Sequence, residues 1–510
     1  MSVADNTPVL IGVGEASERI DSAEYAALSP VALAAKAAAA ALADAGAADL
    51  APHIDVIAAI RQFEVSGPNA RPPFGASDNF ARSVGQRIGA DPARAVLEVV
   101  GGQGPQHLVN EFAHAIAARV AGMALLVGSE SISTVRHLMT RGETRDWAES
   151  VGGQLEDRGF GDPMLTRDLA VHGARTPIQV YALFENARRA RVQMSRDAYR
   201  LAMGRLFAPF TEVAAHNPHA MSREVRSAED LARITADNRL TADPFPRRMV
   251  ARDQANQGAA VLLTSVGKAR ALGVPEDRFV YLHGGADVRE RTPMERADLS
   301  RAPASSLACR RALEIAGAPL AELSFFDLYS CFPIAVFNIC DALGLAPDDP
   351  RGLTLTGGLP FFGGAGNNYS MHAIASMVRA LRGRPSSSGL VGANGGFLSK
   401  YSVGVYSSRP AEWRDWDSAP LQREIDGWAA PPLAQGYAGE ARIETYTIDY
   451  SGPAPRAVAL ARTPDNRRLP AAADEPAMVR RLIEEEPLGA TITVGPPADG
   501  RSMITDFRPA

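Results

Sequence analysis

The chain is poor in cysteine: 510 residues hold only Cys309, Cys331 and Cys340. Three thiols cannot build a disulfide framework, and the lack of any CxxC pair removes the usual zinc signature. Long apolar runs are missing as well. No stretch approaches the ~18 residues of a membrane span, and the N-terminus MSVADNTPVLIGVGE lacks the basic-then-apolar order of a signal peptide. Positive charge is in deficit, with 53 Lys and Arg against 58 Asp and Glu and a formal net charge of −5. That argues against a nucleic-acid binder, which is ordinarily basic, but leaves room for a local basic patch. These absences predict a cytoplasmic protein with no membrane span, no nucleic-acid partner and no metal.

What is present reads as ordered α/β structure. PVLIGVG at 8–14, IDVIAAI at 54–60, AVLEVV at 95–100 and MALLVGS at 122–128 are short apolar runs of buried-strand type. Helical patterns lie between them, one at 30–46 opened by Ser29-Pro30 and closed by Gly46, another from Pro105 to about Val120. Such alternation predicts a mostly parallel sheet covered on both faces. Residues 135–250 turn richer in Arg, Asp and Met and predict a helical insertion. After QGAAVLLTS at 257–265 the order of elements repeats, so two similar αβ halves are expected. From Ala441 the pattern alternates apolar with polar residues, which predicts a small antiparallel β domain. GVGEAS at 12–17 lacks the spacing of a dinucleotide fingerprint.

Three motifs, two of them glycine-rich, carry the chemistry: FFDLYSCF (325–332), TGGLPFFGGAGNNYSMH (356–372) and GANGGFLSKYSVGVYS (392–407). With the repeated halves they resemble the thiolase superfamily, and most closely the sterol-carrier-protein thiolases and type-1 thiolase-like proteins. The resemblance implies a duplicated, five-layered αβαβα fold. Its halves would be 1–134 with 251–268, and 269–410, carrying the insertion at 135–250. A linker at 411–436 and an OB-like C-terminal domain at 437–510 would follow. It also implies a homodimer, coenzyme A esters as substrates, and no permanently bound cofactor.

The resemblance departs at the reactive positions. Gly101 stands where the nucleophilic cysteine of a CxSG-type turn belongs, with Gly104 at its glycine. YSCF is similar to the HDCF motif, with Tyr329 for His and Ser330 for Asp, and Cys331 and Phe332 kept. The GHP motif falls on Gly364-Ala365 without its histidine, and the final CxG-type cysteine is missing near Gly392. Claisen chemistry needs a nucleophile, a base and donors for the enolate oxygen. The expected set is therefore Cys331 as nucleophile, His372 as base, Tyr329 as acid or base, and Asn367 and Asn368 as donors. Gly101, Gly102, Gly364, Gly395 and Gly396 would contribute backbone amides to substrate binding. Cys309, Cys340 and His107 read as structural, and Arg188, Arg189 and Arg191 as a solvated face able to meet a CoA phosphate. The leading expectation is an acyl-CoA C-acyltransferase. The alternatives are a thiolase-fold aldolase acting on 3-hydroxyacyl-CoA through Tyr329, and an inactive acyl-CoA-binding protein.

Overall fold

A computed structural model describes residues 3–162 and 165–510. The N-terminal half runs β1 (Pro8–Ser17), α1 (Pro30–Asp44), β2 (Val56–Ala59), α2 (Phe80–Ile88), β3 (Arg94–Leu97), α3 (Gly104–Ala117), β4 (Met123–Ser131) and α4 (Ile132–Thr140). An insertion follows with β5 (Glu156–Asp157), α5 (Arg167–Val171), α6 (Pro177–Arg191), α7 (Arg196–His216), α8 (Ala228–Ala232), β6 (Leu240–Ala242) and β7 (Phe245–Pro246). The chain then returns as β8 (Asn256–Ser265) and α9 (Val266–Ala271). The C-terminal half contains β9 (Val280–Arg289), α10 (Pro303–Ala316), β10 (Phe325–Leu328), α11 (Pro333–Leu343), α12 (Tyr369–Gly383), β11 (Ser388–Gly395) and β12 (Lys400–Ser407).

The duplication is visible in the sheet. The first half orders its strands β3-β2-β4-β8-β1 and the second β10-β11-β12-β9. The first half pairs β3-β2 and β2-β4 parallel and β4-β8 and β8-β1 antiparallel, while the second pairs β10-β11 parallel and β11-β12 and β12-β9 antiparallel, so the sheet is mixed and not mostly parallel as expected. The halves join where Val9 and Leu10 pair with Tyr281 and Val280. Strand alternation decides what each face buries. Val9, Ile11, Ile57 and Leu125 pack outward under α1 and α2, while Leu10, Val56, Ala58 and Leu126 pack inward against α3 and α12. Apolar residues on both faces make these strands continuous apolar runs. Helix α1 starts where expected, with Ser29 accepting the Ala32 amide at 3.1 Å. GVG serves packing: a side chain at Gly12 or Gly14 would collide with the backbone of α1.

Helices α3 and α12 form the central layer and bring their N-terminal turns together, with the Ser370 hydroxyl donating to the Gly102 carbonyl at 2.6 Å. That meeting point joins residues nearly 270 positions apart.

The C-terminal domain holds β13 (Gly439–Asp449), β14 (Arg456–Arg462), β15 (Arg468–Ala473), α14 (Pro476–Glu484), β16 (Thr491–Val494) and β17 (Ile504–Arg508), preceded by α13 (Ala419–Asp426). The order β15-β14-β13-β16-β17, with an Ala472–Met503 bridge near the free edges, makes a partly open five-stranded barrel with its own core. The hairpin β6–β7 extends the barrel sheet from inside the insertion, through Ala242 opposite Asp449. The helical expectation for the insertion missed this hairpin, because its strands are only two and three residues long. The stretch 411–436, expected as a linker, packs on the C-terminal half: Ile425 is fully buried, and Ser418 accepts the Asp287 amide at 3.0 Å.

Candidate active site

The turn before α3 explains the missing nucleophile. Gly101 has φ +145°, and a Cβ there would overlap the side-chain oxygen of Gln103. A Cβ at Gly395 would overlap the same oxygen, and one at Gly102 would overlap the Tyr329 hydroxyl and lie 2.7 Å from the Asn394 carbonyl. Gln103 thus fills the space a cysteine side chain at 101 would use, while its buried Oε1 accepts no hydrogen bond. Nearby, Lys400 donates to the Val100 carbonyl at 2.8 Å, and burial lowers its pKa from the ordinary lysine value. Gln103 and Lys400 line one cleft of about 360 Å³.

The YSCF turn faces this point. Asp327 at the end of β10 accepts the Leu355 and Thr356 amides at 2.8 and 3.1 Å, fixing the loop that follows α11. Burial pushes the Tyr329 phenol far above its ordinary pKa, so it stays protonated at neutral pH. The Cys331 sulfur lies 3.8 Å from the Asn394 amide nitrogen, which also donates to the Tyr181 hydroxyl at 2.7 Å. Tyr181 comes from α6 of the insertion, stacks on Phe332 with centroids 4.4 Å apart and donates to the Gly396 carbonyl at 3.0 Å. Burial pushes the Cys331 thiol up to about 12, against the weak hydrogen bond from Asn394. A thiol of that pKa is ionised in roughly one molecule in 10⁵ at pH 7.

Several expected roles do not survive this geometry. The Gly101 amide donates to Asn367 Oδ1 at 3.0 Å, and Asn367 Nδ2 donates to the Arg61 carbonyl at 2.8 Å, so neither is a free oxyanion donor. The Gly364 amide is taken by the Arg252 carbonyl at 2.6 Å. Asn368 donates to the Gly128 carbonyl at 2.7 Å and leaves only an acceptor oxygen without a partner. His372 is tied to β1 by one ring nitrogen, and its buried Nε2 has no partner among the described residues. Its Nδ1 bonds Glu15 Oε1 at 2.6 Å on β1, and Glu15 also takes Arg379. Glu15 is desolvated, yet His372, Arg379 and His219 hold its pKa down to about 2.

The three arginines of α6 are not a solvated face. Arg189 is 1% exposed and bonds Glu486 at 2.7 Å, and Arg188 and Arg191 both bind Asp341. Cys309 and Cys340 are buried in the core as expected. His107 bonds Asp287 at 3.1 Å. The carboxylates beside it, Glu98 and Glu111, both take Arg158 at 2.6 Å, so a guanidinium stands where a cation would bind.

Another basic surface was missed. A cleft of about 390 Å³ is lined by Arg247, Arg248 and Arg252, with which no carboxylate pairs among the described residues, and by Glu224, Asp237 and Asp253, of which Glu224 takes Arg226 and Asp253 takes Arg136. It adjoins the reactive turn, since the Ala251 amide donates to the Cys331 carbonyl at 3.0 Å. The signal for Gln103 and Asn394 was present in GGQG and GANGG, as polar residues between glycines. Tyr181 had no local signal.

The profile of the thiolase-like protein type 1 additional C-terminal domain matches residues 420–500. A monomeric SCP2-thiolase-like protein type 1 from Mycobacterium smegmatis is 45% identical, with 99% of this chain and 100% of that one covered at a TM-score of 0.86. The chain belongs to the SCP2-thiolase-like protein type 1 family. More distant structures share the fold. The Ltp2-ChsH2(DUF35) aldolase is 18% identical, covering 79% of this chain and 98% of that one, TM-score 0.58. The dimeric peroxisomal thiolase of Saccharomyces cerevisiae is 13% identical, covering 80% and 99%, TM-score 0.57. No curated protein matches the chain. The family has a thiolase fold, and the M. smegmatis member is described as a monomer, in contrast to the dimer expected from the superfamily. Among the described residues no helix is long and apolar enough to cross a membrane.

Proposed function

We propose that the protein binds acyl-CoA thioesters and breaks or forms the carbon–carbon bond beside the thioester carbonyl without an acyl-enzyme, as a lyase for 3-hydroxyacyl-CoA. One observation carries the reading: Gln103 fills the nucleophile's space while Cys331 is held as a neutral thiol. A site of neutral donors suits an enolate better than an acyl transfer. In the cleavage direction Lys400 takes the 3-hydroxyl proton. The C2–C3 bond breaks, an aldehyde or ketone leaves, and the electron pair moves onto the thioester as an enolate. Tyr329 then supplies the proton to C2, and the proton taken up by Lys400 returns to the Tyr329 phenolate, which restores both side chains. Arg247, Arg248 and Arg252 are the groups assigned to the CoA phosphates. That an aldolase is among the proteins of this fold supports the reading.

Acyl transfer through Cys331 is the second reading, favoured by the reach of its sulfur to Asn394. Incubation with acyl-CoA and 3-hydroxyacyl-CoA separates the two. The lyase reading expects carbonyl product and no acyl mass on the protein, with Tyr329→Phe lowering kcat by roughly 10²-fold or more. An acyl adduct on Cys331, or full activity in Tyr329→Phe, overturns it.

A further inference from the structure

The chain draws almost all of its positive charge from arginine. Of 53 Lys and Arg only three are lysine: Lys36, Lys268 and Lys400. A guanidinium keeps its proton and is no nucleophile, whereas an amine freed of its proton attacks a carbonyl carbon. Lys36 lies exposed on α1, and Lys268 donates to the His53 carbonyl at 3.0 Å. Lys400 is the amine that stands at the candidate active site.

Its surroundings keep that amine from water and from countercharge. Lys400 is 9% exposed on β12, opposite Arg289 on β9. A Cβ at Gly161 would lie 3.1 Å from Nζ, so the backbone beyond β5 covers the amine on one side. The two acids that act on it through space are already taken. Glu98 binds Arg158 at 2.6 Å and Asp162 binds Arg289 at 2.5 Å, and among the described residues no carboxylate pairs with Nζ. An ammonium buried without a counter-ion is costly, and burial lowers the pKa of Lys400 despite both acids. As a neutral amine it gives one N–H to the Val100 carbonyl at 2.8 Å and keeps a lone pair for the cleft of about 360 Å³ that it lines.

We infer that Lys400 condenses with small aldehydes and ketones to form a Schiff base. The Nζ lone pair adds to the carbonyl carbon, and one amine proton passes to the carbonyl oxygen. The carbinolamine then loses water and leaves a C=N bond at Nζ. Water reverses the step, and nothing is oxidised or reduced. The inference shares with the lyase reading only the unprotonated amine. Propanal and cyanoborohydride, added to the full chain at pH 7 without any CoA ester, test it. Hydride fixes the imine as a secondary amine, which peptide mass mapping locates. Lys400 is expected to be alkylated roughly tenfold or more faster than Lys36, and to lose that lead in urea, where the three lysines react alike. A native rate at Lys400 no higher than at Lys36, or a lead that survives unfolding, overturns the inference. Lyase turnover in a protein whose Lys400 is not labelled leaves the lyase reading standing and removes this one. Labelling of Lys400 without turnover does the opposite.

Discussion

At the scale of single residues, the exchange of a nucleophile for a glycine has a steric consequence. Returning a sulfur by Gly101→Cys meets φ +145° and the Gln103 oxygen together. Strain and overpacking of that kind predict a loss of roughly 2–4 kcal/mol, read as a lower unfolding temperature. Stability equal to wild type would mean the turn is free to move. Two buried carboxylates predict opposite pH behaviour. Glu15 is held down to about 2 from 4.5, so its stabilisation is present above pH 4.5 and is lost as pH falls towards 2. Glu15→Gln should remove that acid slope, on the order of 3 kcal/mol. Glu130 accepts the Phe63 amide at 2.8 Å, and burial pushes it up to about 8. The unfolded chain releases that proton first, so stability falls from pH 4.5 until about 8. Glu130→Gln should therefore be the more stable protein at pH 9 and lose that advantage at pH 4. Melting curves across pH check both, and parallel curves for variant and wild type would refute the assignments.

At the scale of elements, α6 links the barrel to the reactive turn. One face carries Tyr181 to Asn394. The other meets β13, where Thr445 donates to the Leu183 carbonyl at 2.5 Å and Asn186 to the Tyr446 carbonyl at 3.0 Å. A second tie is Arg468, fully buried, which bonds Glu444 at 2.7 Å and the Met294 carbonyl at 3.0 Å. Arg468→Met leaves the Met294 carbonyl without that donor, while Glu444 keeps Arg462 at 2.9 Å. The expected cost is roughly 1–3 kcal/mol, seen as a lower midpoint of thermal unfolding, and an unchanged midpoint would show that the barrel is held by apolar contact alone. The arginines of α6 were legible as an amphipathic set but not as buried ones, because their partners Asp341 and Glu486 lie some 150 and 297 residues further on.

At the scale of the whole molecule, the edge of the N-terminal half is closed from within. Strand β5 pairs with β3 at Val96–Glu156 and Leu97–Asp157, and Arg94 bonds Glu156 at 2.8 Å. An edge strand already paired and flanked by charge is a poor template for a second chain. Sedimentation velocity is expected to give a 54.1 kDa monomer. A dimer that persists at sub-micromolar concentration would show that another surface mediates assembly.

The layered fold was legible in the sequence, because apolar strand runs and helix caps are short-range patterns that packing obeyed and the order of elements recurs along the chain. The sequence by itself also determined which reactive residues are absent, since an absence needs no geometry. Tertiary structure alone decided what fills the gaps. Gln103 meets Gly395 across more than half of the chain, and His372 turns to Glu15 because α12 packs on β1. Such contacts follow from sheet order and helix rotation, which no local pattern encodes.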